Sequence, residues 1–556
     1  MKEFIAKLIA KDTMLKKEDI EKLIEIPPSP ELGDFAFPCF ILAAKFKKNP
    51  VQIAQELAKK IHSNNLEKVE SKGPYVNFFI NKNLFAEQVL EIDKDYGKQN
   101  KKEKVMVEFP SPNTNKPLHL GHLRNMSVGE SVSRIQEFSG NKVIRANLYN
   151  DRGVHICKSM LAYKKWGNKK TPEKEKIKSD HLVGDFYVLF NKKLKENPKL
   201  DEDAQEMLRK WEAGDKETIE LWRKMNLWAL NGFKETFKLF GLKFDKEYYE
   251  SRIYSKAKEI VALGIKKKIF KKKEDGTIII DLESKNLGEK VILRADGTSI
   301  YITQDIYLAK LKDEEFNLDR SIYVVGNEQN YHFQVLFNIL KKLGFKSANK
   351  LHHLSYGMVN LPEGRMKSRE GKVVDADDLI EKMRDLAKHE LEKRHKLDKK
   401  EMESRALKIA LASIKYMLLK IDIEKDMIFN PEEAISFEGD TGPYLQYTYA
   451  RASSILKKAK TKKEKFKIPE LSESEIKLIK EILNFKDVSE QACKNLSPHL
   501  IANYSFHLAQ TFNEFYHSCP VIKSENEAFR LELIKKFRIV MANSLNLLGI
   551  DVLEEM

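Results

Sequence analysis

The sequence predicts a multidomain α/β protein: a parallel-sheet domain with a helical insertion, a small α+β unit before it and an all-helical bundle after it. Three observations lead there. At 556 residues the chain is too long for one hydrophobic core. From Val105 to about residue 377, apolar runs of strand length alternate with helix-period segments. From residue 378 onward helical periodicity continues, with no further strand pattern of any length.

Residues 1–100 read as a separate unit. Helical spacing comes first, then the breaker-rich "PPSPELGDFAFP", then a helix over "PVQIAQELAKKI" with Pro50 at its start, then the alternating strand "YVNFFI". The charged "DKDYGKQNKKEK" is a linker. The second unit spans 101–377. It opens with the strand "VMVEF", a helix through "HLRNMSVGESVSRIQEFSG", the strand "NKVIRANLY" and a helix over "DRGVHICKSMLAYKKW". Strand, helix, strand in this order predicts a parallel sheet with a right-handed crossover. Residues of about 165–290, including "KKKIFKKK", read as a lysine-heavy helical insertion. Strands return at "SIYIT", "SIYVVG" and "LHHLSYGMV". Residues 378–556 form the helical bundle.

The hydrophobic share of 42% and charged share of 33% fit a soluble globular chain. Lys and Arg number 99 against 83 Asp and Glu, a net +16, which suits a polyanionic partner such as nucleic acid or a lysine surplus spread over solvated faces. Cys39, Cys157, Cys493 and Cys519 stand far apart with no C-x-x-C, which argues against a zinc ribbon or disulfide framework and fits the cytoplasm. The start is amphipathic, neither signal peptide nor membrane span, and no membrane association is expected.

The chemistry concentrates in "SPNTNKPLHLGH", residues 111–122. Two histidines three apart could begin a metal site, but His155 and His181 aside, nothing nearby has ligand spacing. The segment could equally be a capped turn in which Gly121 merely packs. Its place at the carboxyl end of the first sheet strand favours a nucleotide site. There a helix N-terminus offers N–H groups to phosphates, Gly121 admits a flat ring or ribose, and His119 and His122 can donate to phosphate oxygens. The phosphate loop G-x-x-x-x-G-K-S/T is absent.

At these residues the chain resembles the class I aminoacyl-tRNA synthetases, whose H-I-G-H signature is similar to "HLGH" here. Their second signature, K-M-S-K-S, corresponds to "EGRMKSREGKVV", residues 363–374, where Ser368 stands at the place of the second lysine. Within the class the chain is similar to the arginyl-tRNA synthetases over nearly its whole length. Members of that family often lack the second lysine and carry one just before the H-x-G-H, as Lys116 does here. Further resemblances are "LRADGTSIYITQDI" and "VVGNEQNYHFQVLF" to the family's substrate segments, "GDTGPYLQYTYAR" to the opening of its anticodon-binding domain, and "GDFAFPCFILAAKFKKNPVQIAQELA" to its N-terminal domain.

The resemblance implies a Rossmann-type catalytic domain between an N-terminal domain that contacts the tRNA elbow and a C-terminal anticodon-binding bundle. It implies an arginine–tRNA ligase: arginine and ATP give arginyl-adenylate and pyrophosphate, and the arginyl group passes to the 2′-OH of the terminal adenosine of tRNA(Arg). Arginine activation is expected to need bound tRNA. His119, His122, Lys116 and Lys367 would be catalytic, with Gly121, Met366 and Ser368 also at ATP and Mg²⁺ on the phosphates. Asp305 would meet the guanidinium with Tyr301 near it. Gln329 and Asn113 would hold the α-amino and carboxylate end, Ser111 would also bind arginine, and Glu108 would add negative charge. Carboxylate–guanidinium pairing is the strongest way to tell arginine from lysine. Tyr444, Tyr447 and Phe515 are the candidate RNA-stacking aromatics. No protein-only metal site is expected, and the state expected is a monomer. Other readings are another class I synthetase such as the cysteinyl enzyme, a cytidylyltransferase, or a non-catalytic tRNA-binding paralogue.

Overall fold

The computed structural model describes residues 1–295, 301–362, 374–394, 396–459 and 466–556, with the backbone alone for Pro30. It divides into two compact units. The first comprises Met1–Lys94, Ile455–Asn484 and Gln510–Ile539. The second comprises Asp95–Ser454, Phe485–Ala509 and Val540–Met556. The units therefore cut the C-terminal helices differently from the linear domain order expected from the sequence.

In the first unit, β1 (Phe35–Pro38), β2 (Leu66–Lys72) and β3 (Tyr75–Ile80) form an antiparallel sheet in the order β1-β3-β2. The helix Pro50–Lys60 packs on it. Asn49 caps that helix by accepting from the Val51 N–H, Pro50 takes the first position, and Ile53, Ala54 and Leu57 form its buried stripe. In the later helical segments of this unit Phe512 stacks on Phe537 at 4.0 Å.

The second unit is built on five parallel strands: β4 (Lys104–Glu108), β5 (Lys142–Tyr149), β6 (Lys246–Tyr249), β10 (Arg320–Gly326) and β11 (Leu351–Tyr356). Their order is β11-β10-β4-β5-β6. Val105, Met106 and Val107 of β4 are wholly buried, as a central parallel strand requires. The chain leaves β4 through the helix Leu120–Phe138 toward β5, while β10 lies on the other side. The β4–β10 junction is thus the switch point at which doubly wound sheets open a crevice.

Three expectations need correction. The region 165–290 is not purely helical. It supplies the edge strand β6, and with residues to 293 a meander of β7 (Phe270–Lys272), β8 (Ile278–Asp281) and β9 (Glu289–Leu293). The described part of "SIYIT", residues 301–303, is helical and lies in the helix Tyr301–Phe316, while residues 299 and 300 lie outside the described residues. Its β-branched alternation is overridden because Ile302, Ile306 and Ala309 face one apolar core at helical spacing. Finally, β12 (Val359–Asn360) pairs in parallel with β13 (Met427–Ile428), a two-residue strand too short to show in a pattern. No helix among the described residues is long and apolar enough to cross a membrane.

Candidate active site

Between β4 and its helix the chain crosses the carboxyl edge of the sheet in an irregular turn fixed by asparagines. The Ser111 N–H donates to Asn147 Oδ1 at 3.1 Å, and Asn150 Nδ2 donates to the Ser111 carbonyl at 3.0 Å. The Thr114 N–H donates to the Asn150 carbonyl at 3.2 Å. His119 then caps the helix. Its Nδ1 accepts from the Gly121 N–H at 3.1 Å, and its own N–H donates to His122 Nδ1 at 3.1 Å. This is a capping box with imidazoles in both roles.

The capping fixes the chemistry of both rings. With each Nδ1 accepting, the proton of each neutral ring is on Nε2. Burial, with the charge of Lys116 adding to it, pushes His119 down to about 3. Burial and then the neighbouring His119 and Lys116 hold His122 well below its usual range. The pair, with ring centroids 3.9 Å apart, therefore offers two neutral N–H donors rather than two cations. A Cβ at Gly121 would stand 3.0 Å from His119 Cε1, so the flat ring this glycine admits is the cap's own imidazole.

Both rings line a cleft of about 760 Å³ at the switch point. Of the sequence-predicted residues, Glu108, Ser111, Asn113, Gly121, Tyr301, Asp305 and Gln329 line it too. Lys116 lines a neighbouring cavity of about 190 Å³ that shares His119 as a wall. Met366, Lys367 and Ser368 lie outside the described residues.

Asp305 stands one helical turn after Tyr301, and its Oδ2 accepts from His332 Nε2 at 2.7 Å. Gln329 ends a short turn directly after β10. Glu108 differs from expectation: it is 5% exposed and ion-paired to Lys312, which is itself 1% exposed and 4.3 Å from the Tyr323 ring centre. A buried carboxylate needs a counter-charge, so its negative charge is shared with Lys312 rather than left to a ligand.

Three residues escaped the sequence reading. Lys312 had a signal, since it falls on the apolar stripe that Leu308 and Ala309 continue. Glu250 had none. It is 5% exposed, one of its oxygens has no hydrogen-bond partner among the described residues, and burial pushes its carboxyl up to about 8. Arg152 opposes that rise, while the charges of Asp151 and Asp305 add to it. Arg124, two residues beyond the signature, is fully buried and donates to the carbonyls of Met358 (3.1 Å), Ile423 (3.1 Å) and Lys425 (2.7 Å). Beside it, Asn125 Nδ2 donates to the Val324 carbonyl at 2.7 Å. The signature helix is thereby bolted to β10 and to both sides of the β12–β13 pair.

Among the candidate RNA-facing aromatics, Tyr444 and Tyr447 are partly exposed, Tyr447 lying 4.9 Å beneath the Arg451 guanidinium. Phe515 is wholly buried beside Phe512 and offers no face to a base; on the same helix Tyr516 is 39% exposed. At 3.6 residues per turn, adjacent positions point about 100° apart, so the core took Phe515.

A parallel sheet with its cleft at the switch point, headed by a histidine-capped helix in H-x-G-H, defines the catalytic domain of a class I aminoacyl-tRNA synthetase. Comparison narrows this. The family model "tRNA synthetases class I (R), catalytic domain" matches residues 86–431. The DALR anticodon binding domain matches 445–556, and the arginyl-tRNA synthetase N-terminal domain matches 1–80. The arginine–tRNA ligase of Treponema denticola is 48% identical over 559 residues, covering 96% of this chain and 94% of the relative. That of Parabacteroides distasonis is 45% identical over 549 residues, covering 92% and 91%. The solved Thermus thermophilus arginyl-tRNA synthetase superposes with a TM-score of 0.83 at 26% identity, over 96% of each chain. The chain belongs to the arginyl-tRNA synthetase family, which sets aside the cysteinyl and cytidylyltransferase readings.

Proposed function

We propose that this chain is an ATP-dependent arginine–tRNA ligase whose switch-point cleft takes ATP at its His119–His122 side and arginine at its Asp305 side. The observation that carries the reading is the pair of imidazoles locked as neutral N–H donors at a helix N-terminus, facing one cleft with Asp305. When the arginine carboxylate attacks the α-phosphorus and pyrophosphate leaves, negative charge grows on the phosphate oxygens. His119 and His122 stabilise it with fixed dipoles, aided by the helix terminus, while Lys116 and Lys367 supply full charges. Gly121 borders the nucleotide, and Met366 and Ser368 are assigned to ATP on the family resemblance alone.

Asp305, oriented by His332, receives the guanidinium. Glu250, buried and coupled by charge to Asp305, adds a second carboxyl near that end of the cleft, with Tyr301 alongside. Ser111, Asn113 and Gln329 hold the α-groups, and Glu108 with Lys312 forms a charge-balanced wall of the cleft. Of the carboxylates lining the cleft, Glu108 and Asp305 are already paired, while Glu328 has no ion pair among the described residues, so Mg²⁺ arriving with ATP would have Glu328 as the lining acid to hold it. There it supplies neutralisation of the phosphates. tRNA(Arg) is bound through Tyr444 and Tyr447 of the C-terminal domain, with Tyr516 replacing Phe515, and by the N-terminal domain at the elbow. The enzyme works as a cytoplasmic monomer; four free, buried cysteines suit a reducing compartment.

ATP–pyrophosphate exchange tests this. Exchange that depends on arginine and is stimulated by tRNA(Arg) is expected; none even with tRNA present would leave the non-catalytic paralogue. Lys116→Ala is expected to lower the activation rate far more than tRNA affinity, whereas equal losses would make Lys116 a tRNA contact.

A further inference from the structure

The insertion brings a second charged cluster to the flank of the histidine signature. Lys178 Nζ lies 2.5 Å from both Asp377 Oδ2 and Thr236 Oγ1, and 3.3 Å from Asp180 Oδ2. His181 Nε2 is 3.3 Å from both Asp375 Oδ2 and Asp377 Oδ2. Thr236 Oγ1 donates to Asp377 Oδ1 at 2.9 Å. Asp180, His181 and Asp377 have metal-ligand chemistry, with donor atoms within 4.8 Å of one another. The Lys178 ammonium already stands among them, so the chain supplies its own cation. Asp180 is wholly buried, and its Oδ1 would lie 2.1 Å from a Cβ at Gly232; only glycine lets the helices Ser179–Glu196 and Lys216–Phe240 close over it.

The carboxylates that this cluster grips belong to a segment running beside the signature. Asp375 caps the helix Ala376–Glu392, its Oδ1 accepting from the N–H groups of Asp377 (2.8 Å) and Asp378 (3.3 Å). The Leu120 N–H donates to the Val374 carbonyl at 3.0 Å, and the Ala376 N–H donates to the Leu118 carbonyl at 3.0 Å. His119 sits between those two bonds, bridged antiparallel to Asp375. The 190 Å³ cavity lies between His181 and the His119 ring, so any influence of the cluster passes through the backbone.

We propose that His181 and Asp377 are positioning residues for the ATP half of the reaction: the insertion's cluster fixes Val374–Asp377, and that segment fixes the backbone that aims His119. The insertion is thereby part of the catalytic device rather than an appendage to it. The inference rests on the reading of His119 as a phosphate donor. A purely structural cluster would instead lower stability and leave the folded enzyme's rate constants untouched.

The test is arginine-dependent ATP–pyrophosphate exchange by the full chain with tRNA(Arg), with thermal unfolding of the same samples. The near-isosteric His181→Gln and Asp377→Asn, their double variant, and Lys193→Ala, at a half-exposed position near the far end of His181's helix, are compared. Each single variant should lose about 10–100-fold in kcat, the scale of a small misplacement of a catalytic group. The arginine KM should stay within about twofold, and the double variant should be no worse than the weaker single, as for residues in one unit. Lys193→Ala should match wild type. Folded variants with unchanged kcat, parallel losses in the arginine and ATP constants, or multiplying losses in the double variant would each overturn the proposal. Should Asp377→Asn not fold, His181→Gln alone decides on the same readouts. A wild-type chain without exchange would instead overturn the ligase reading on which it stands.

Discussion

Lys312→Met probes how the floor of the cleft is held. The substitution keeps an unbranched stem of similar length, so little cavity is opened, but it removes the ammonium that faces Glu108. Both partners are nearly sealed from water, with side chains 1% and 6% exposed. Removing one member of such a pair leaves an uncompensated buried charge and costs about 3–5 kcal/mol. The lost contact between the ammonium and the Tyr323 ring, now 4.3 Å, adds about 1–2 kcal/mol. Adding Glu108→Gln removes the stranded charge, so the double variant should regain about 2–4 kcal/mol over the sum of the singles. Urea unfolding followed by tryptophan fluorescence is the assay, since Trp166, Trp211, Trp222 and Trp228 all belong to the catalytic unit. A loss below about 1 kcal/mol for Lys312→Met, or strict additivity in the double variant, would refute the argument that the pair is desolvated and mutually dependent.

His119→Asn separates capping from catalysis. Asparagine is among the best N-caps, so the unfolding midpoint should hold while exchange falls by about 10²–10³-fold; retained activity would make His119 a cap alone. Gly121→Ala pushes a Cβ to 3.0 Å from the His119 ring, and activity should fall more than stability. Glu250 predicts a proton signature. With a folded value near 8 against 4.5 unfolded, its contribution to stability is complete below pH 4.5 and is lost as pH rises through 8. A guanidinium held at Asp305, whose charge Glu250 already feels, favours the ionised form, so arginine binding at pH 7 should release up to about 0.9 proton, and little at pH 9. Calorimetry in buffers of different ionisation enthalpy measures this; release that persists in Glu250→Gln would assign it elsewhere. His119 and His122, neutral throughout, should leave no inflection between pH 6 and 9 in the activation rate of Glu250→Gln at saturating arginine.

The sequence by itself determined the parallel sheet, the strand after which the site opens, and the identities of the signature residues. These are local signals: buried parallel strands read as apolar runs, and a capped helix start has its own composition. Asp305 and Gln329, named through resemblance rather than periodicity, both line the cleft. Tertiary structure decided the rest, because it depends on what each residue meets. "SIYIT" carries strand propensity, yet Tyr301 begins a helix since a core lies along one face. Phe515 and Tyr516 are equally plausible stacking residues until packing buries one. Glu108 is a free carboxylate in sequence and half of an ion pair in space, its partner 204 positions away (312 − 108). His181 is unremarkable in sequence, and only the closure of the insertion's helices at Gly232 sets it against Asp377, in the segment that holds His119. Composition and spacing specify elements because they act over a few residues. Charge balance, exposure and tautomer are set by contacts across hundreds, so they become definite only when the chain is folded.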